Sequence, residues 1–127
     1  MNKVLIFFSI CVLGYSCANN KLPQEIITKG YFILVSKSEA ESSRIIGVVK
    51  DKKTGKTLSS ANLSIEGKSV LGAVTDDKGF YILEVPSGNI QIKVTNVGHS
   101  DLITKSIKIK PKEQLEIHFY LGTIEVN

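Results

Sequence analysis

The sequence has no tryptophan and a single arginine, Arg44, and both of its cysteines, Cys11 and Cys17, fall within the first seventeen residues. Beyond Cys17 there is no thiol for a disulfide, a thiolate nucleophile or a sulfur-ligated metal, so whatever folds there is held by its apolar core alone. Histidine is nearly as scarce, with only His99 and His118, too few to suggest a histidine-rich metal centre. No apolar run reaches the roughly 20 residues that a membrane-spanning helix needs. No segment sustains an apolar period of 3.6 over a useful length, which excludes a helical domain.

What is present begins with "MNKVLIFFSICVLGYSC", where Lys3 gives a short basic start and Val4 to Leu13 is apolar apart from Ser9. This is the pattern of a secretory signal, expected over residues 1–16. Its end, "LGYSC", resembles the lipobox of bacterial lipoproteins, with Ser16 immediately before Cys17. The resemblance implies that Cys17 is acylated and becomes the new N-terminus, and that the protein is a lipid-anchored resident of the cell envelope, at the outer membrane. Cys11 is a poor alternative, because Ile10 precedes it inside the apolar run. Without Lys3 the remaining chain carries fifteen basic and twelve acidic residues. That excess is mild, and its lysines are scattered, so no nucleic-acid partner is expected.

Residues 17–44 read as a tether. "ANNKLPQE" is polar and contains Pro23, and "YFILVSKSEAESSR" begins apolar and turns Ser-rich and charged, with a candidate short strand over Gly30 to Ser36. From Ile45 to Asn127 the pattern changes to short runs of period two separated by turn residues: "RIIGVVK", "ANLSIEG", "GAVT", "FYILEV", "IQIKVTNV", "TKSIKIK" and "LEIHFYL". In "IQIKV", Ile90, Ile92 and Val94 share one face and Gln91 and Lys93 the other. In "LEIHFYL", Leu115, Ile117, Phe119 and Leu121 oppose Glu116, His118 and Tyr120. Seven such runs predict an all-β, seven-stranded two-layer sandwich over residues 45–127.

The most conspicuous polar motif is "TDDKG", Thr75 to Gly79. Asp76 and Asp77 are neighbours in sequence, whereas a carboxylate acid/base pair must face each other across a cleft. A calcium loop would need further oxygen ligands after Gly79, and Phe80, Tyr81 and Ile82 follow instead. Aspartate bonding the backbone two residues on, and glycine at positive φ, are what a tight turn uses. The motif is expected to be a hairpin corner, with Pro86 closing the second strand.

The order of motifs, "GVVKDKKTGKTLSSANLSIEG" then "GAVTDDKGFYILEVPSGNIQIKVTNVGH", resembles the carboxypeptidase regulatory-like domain. That module is found behind zinc carboxypeptidase domains and at the front of TonB-dependent outer-membrane receptors of Bacteroidetes. The resemblance rests on Gly47, Val49, Asp51, Gly55, Leu58, Ala61, Asn62, Leu63, Ile65, Gly72, Thr75, Asp76, Gly79, Tyr81, Leu83, Val85, Pro86, Gly88 and Gly98. It implies a transthyretin-like (prealbumin-like) Greek-key sandwich with an accessory role, and an outer-membrane receptor or other envelope protein as partner. The chain departs from the family at His99, where an aromatic residue usually follows the glycine. The closing "LGTIEVN" is similar to the segment that leads into a receptor plug, and with Asn127 as the last residue no plug, barrel or peptidase is expected.

Enzymes on similar sandwiches set tests that the residues do not meet. The transthyretin-like hydrolase needs a His and Arg constellation, and Arg44 lies before the expected domain. Intradiol dioxygenases bind iron through two Tyr and two His; here Tyr81 falls on the core face, and His118 and Tyr120 share a solvent face. A zinc peptidase needs two His and a carboxylate near a general-base Glu, a spacing not found. No catalytic or metal-binding residue and no cofactor is expected, and Cys17 is the one assigned site. The alternative is a sandwich that binds a small ligand or carbohydrate, for which Phe80, Tyr120 and Tyr31 are the exposed aromatic candidates.

Overall fold

The computed structural model describes residues 25–126. Cys11, Cys17 and the expected signal segment lie outside the described residues. Within them the chain forms twelve strands: β1 (Glu25–Ile27), β2 (Tyr31–Glu39), β3 (Arg44–Asp51), β4 (Asn62–Ile65), β5 (Lys68–Val74), β6 (Phe80–Glu84), β7 (Gly88–Ile90), β8 (Ile92–Thr95), β9 (Leu102–Ile103), β10 (Ile107–Ile109), β11 (Glu113–Leu121) and β12 (Ile124–Val126). Two four-stranded sheets, ordered β2-β11-β3-β6 and β5-β4-β8-β9, form the body, and the pairs β1-β12 and β7-β10 extend it.

Period-two alternation puts one face of each sheet into a shared core. β11 contributes Leu115, Ile117, Phe119 and Leu121, and β3 and β6 add Ile45, Val49, Tyr81 and Leu83. The facing sheet supplies Leu63, Ile65, Ile92 and Val94. Fully burying such a side chain stabilises by about 1.5–3 kcal/mol, which is why the fold needs no disulfide. Buried hydroxyls stitch the loops to this core: Thr75 Oγ1 donates to the Leu58 carbonyl at 2.7 Å and accepts from the Ala61 amide at 2.9 Å.

The fold is all-β as expected, with twelve strands instead of seven. One cause is a bend that the pattern conceals. "IQIKV" divides at Gln91, where β7 pairs with β10 and β8 turns to pair with β4 and β9. Ile90, Ile92 and Val94 all stay buried through the bend, so the alternation continues across it. At that corner the Ile92 amide donates to Thr104 Oγ1 at 3.0 Å, replacing a ladder bond.

The second difference lies before Ile45. Residues 25–44, expected as part of a tether, hold β1, β2 and the start of β3; Arg44 is the first residue of β3, and β2 is an edge strand on β11. The candidate strand over Gly30 to Ser36 runs on to Glu39. Because nearly every residue of β2 is exposed, its Ser-Lys-Ser-Glu half reads as linker. A bulge at Val35, opposite Glu116 and Ile117, further breaks its alternation.

β1 and β2 run antiparallel to β12 and β11 in one continued register, from Glu25↔Val126 to Tyr31↔Tyr120, with Thr28 N–H donating to the Thr123 carbonyl at 3.0 Å between them. The two ends of the described chain thus form a terminal ribbon. Where it leaves the body, a Cβ on Gly30 would overlap the Tyr120 carbonyl and one on Gly122 the Thr28 carbonyl, so only glycine fits at both places.

Candidate functional site: the outer face of the β2-β11-β3-β6 sheet

The turn that joins β5 to β6 is set by Asp76. Its carboxylate accepts from the amides of Lys78 and Phe80, each at 2.9 Å, and its own amide donates to the Phe80 carbonyl at 2.9 Å. Gly79 closes the corner at φ 82°, and a Cβ there would lie 2.8 Å from Thr57 Cβ. Asp77 is exposed beside it. "TDDKG" is therefore the hairpin corner the sequence predicts, and it fixes where β6 begins.

From that corner β6 runs with Tyr81 and Leu83 inward, leaving Phe80 (54% exposed) and Ile82 (62% exposed) on the outer face of an edge strand. They flank a shallow groove of about 630 Å³ floored by Ile46 and Gly47 and walled by Arg44, Gln114, Glu116 and His118. Arg44 Nε donates to Gln114 Oε1 at 2.6 Å, and His118 Nε2 lies 3.1 Å from Glu116 Oε2. Ser36 Oγ donates to Glu116 Oε1 at 3.3 Å. The serine thus meets the carboxylate and not the imidazole, so the trio does not form a nucleophile–base relay. Further along the same face Tyr31 stacks on Tyr120, with centroids 4.8 Å apart and rings 12° from parallel.

At the floor of the groove the pairing of β3 with β11 is interrupted. Their parallel ladder lapses between the Glu116↔Ile46 and Phe119↔Val49 pairs. A Cβ on Gly47 would overlap the Ile117 carbonyl there. The Tyr81 hydroxyl, reaching from the neighbouring strand β6, donates to that carbonyl at 2.5 Å. Burial, followed by the nearby Glu116 charge, pushes the Tyr81 hydroxyl far above its ordinary titration range, so it remains a donor.

Arg44, Asp76, Phe80, Tyr81 and His118 thus all border one groove. His99 does not. It sits at the end of the sandwich with Nε2 2.8 Å from Asp51 Oδ2, and Asp51 Oδ1 accepts from the amides of Lys53 and Thr54. The Thr54 amide, then the His99 ring, hold the Asp51 carboxyl down to about 2. Among the described residues no group of three or more His, Cys, Asp or Glu is placed to hold a metal ion. Sequence reasoning overlooked Ile82 and Ile46 as surface residues; the available signal was the second apolar residue on the wet face of "FYILE".

Two facing sheets with an apolar interior and a turn-setting Asp-Gly corner define a β-sandwich module. The chain belongs to the CarboxypepD_reg-like domain family, whose model matches residues 45–127. β2, an integral strand of the larger sheet, precedes the matched segment. No curated protein matches the chain.

Proposed function

We propose that the protein is a lipid-anchored accessory module of the bacterial envelope that engages another envelope protein, such as an outer-membrane receptor, through the groove on its outer sheet face. The observation that carries the reading is the pair Phe80 and Ile82, each more than half exposed on a strand whose other face is core, beside Arg44, Gln114, Glu116 and His118. Apolar side chains ringed by hydrogen-bonding groups are the composition of a protein contact surface. The family membership supports a binding role, and the "LGYSC" signal supports anchoring through Cys17. Two or more acyl chains on one cysteine hold a domain on a membrane stably without a spanning segment.

The carbohydrate reading has less behind it. Phe80 is the only side chain in the groove offering a half-exposed ring face, and the best hydrogen-bonding groups are engaged with one another. Two experiments test the proposal. Labelled palmitate should enter the protein in cells and be lost in Cys17→Ala; equal labelling of that variant refutes the anchor. A photo-crosslinking residue at position 82 should capture a defined envelope protein, with Phe80→Asp abolishing capture. Capture unchanged by Phe80→Asp, or glycan binding that competes it away, refutes the protein-contact assignment.

A further inference from the structure

The loop from Asn96 to Asp101, between β8 and β9, is the brace of the terminal ribbon. Ser100 N–H donates to the Gly122 carbonyl at 2.9 Å, Ile124 N–H to the Gly98 carbonyl at 3.2 Å, and Ser100 Oγ to the Thr28 carbonyl at 2.6 Å. His99 bridges to Thr123. The loop is thus bonded to Ile124 of β12 and to Thr28, the residue that follows β1. That loop is joined to the end of β3 by the His99 side chain, whose imidazole and its Asp51 partner are each only 12% exposed.

The His99 ring has an oxygen acceptor at each nitrogen: Asp51 Oδ2 at 2.8 Å from Nε2 and the Val97 carbonyl at 3.1 Å from Nδ1. An imidazolium donates to both. A neutral imidazole donates to one and turns a lone pair toward the other oxygen, whichever tautomer it adopts. Asp51 cannot relieve this by turning, because its second oxygen is bonded to Lys53 N–H at 2.7 Å and Thr54 N–H at 2.9 Å. Three neighbouring charged groups have partners of their own. Lys53 pairs with Glu125 of β12 at 3.5 Å, Asp101 with Lys93 of β8 at 4.0 Å, and Lys52 Nζ donates to the Lys29 carbonyl at 2.9 Å.

We infer that Asp51 and His99 form a proton-dependent latch, closed when the imidazole carries both protons, that fastens the β1–β12 ribbon to the sandwich. Loss of one proton removes a charge-assisted bond from the base of the brace, so the ribbon opens locally while the core stays folded.

Hydrogen exchange read by mass spectrometry on the full-length chain, corrected for intrinsic rates, tests the latch. Between about pH 5 and about pH 8 the protection of residues 98–100 and 122–126, taken relative to Val49, Leu83 and Phe119, should fall by about tenfold, the scale of one charge-assisted hydrogen bond. His99→Gln should remove the pH dependence. Asp51→Asn, which keeps an oxygen for the turn amides, should reduce it if His99→Gln fails to fold. Ribbon protection that is constant with pH in the parent, or a drop that persists undiminished in either folded variant, overturns the inference.

Discussion

Replacing Tyr81 by Phe removes one oxygen and little else. The ring still packs against Phe119, at a centroid distance of 5.7 Å, and the residue is only 3% exposed. The loss falls on the Ile117 carbonyl, which receives the 2.5 Å hydroxyl bond where the β3–β11 ladder lapses. Leaving a buried acceptor without a donor costs about 1–3 kcal/mol. In a domain of this size, about 1 kcal/mol corresponds to a Tm change of about 4–8 °C. Urea unfolding should therefore show a lower midpoint with an unchanged m-value, since the surface exposed on unfolding is the same. Burial keeps the hydroxyl protonated well past its ordinary range, so the deficit should be constant from about pH 6 to about pH 9. A loss below about 0.5 kcal/mol, the range of an ordinary surface change, would mean that another donor serves the Ile117 carbonyl and that the lapse is not bridged by Tyr81.

Gly79→Val should destabilise more than Asp76→Ala. The first forces a β-branched residue to φ 82° and against Thr57, a strain of about 1–3 kcal/mol before any clash, while the second removes two exposed hydrogen bonds worth about 1 kcal/mol in all. Calcium should leave the parent's melting curve unchanged, and a calcium-dependent rise lost in Asp76→Ala would restore the ligand-loop reading. On the acid side, the Asp51 carboxyl is lowered from 3.8 to about 2, so its ionised form stabilises the fold above the ordinary carboxylate range, and that stability is lost as pH falls through about 2. Asp51→Asn should flatten the fall in Tm between about pH 5 and about pH 2; an equally steep fall in the variant would show that other carboxylates govern acid unfolding.

The core was legible because burial and backbone geometry agree there. Ile92, Leu115, Ile117 and Phe119 alternate with polar neighbours, and each is 1% exposed or less. Asp76 and Gly79 were legible for the same local reason, since a turn uses its own side chains. β2 was not, because an edge strand that packs only Phe32 against the core carries no sustained alternation, and its ladder partner β11 lies about 80 residues away in sequence. The split at Gln91 was hidden because a strand can change sheets without changing which residues face the core.

The outer face illustrates why a surface site is harder to read than a core. Each strand of "FYILE", "RIIGVVK" and "LEIHFYL" contributes residues to the groove that look unremarkable alone: Phe80 and Ile82, Arg44 and Ile46, Glu116 and His118. Only the order β11-β3-β6, with one parallel and one antiparallel pairing, sets them side by side, and that order depends on contacts distant in sequence. His99 shows the converse. Its departure from the family pattern is visible in one residue, but the physical reason for a histidine there is not, because Asp51 lies 48 residues earlier and the Val97 carbonyl that engages the other ring nitrogen belongs to the backbone. His99 therefore supplies a pair of oxygen contacts that hold the loop beneath both ends of the described chain.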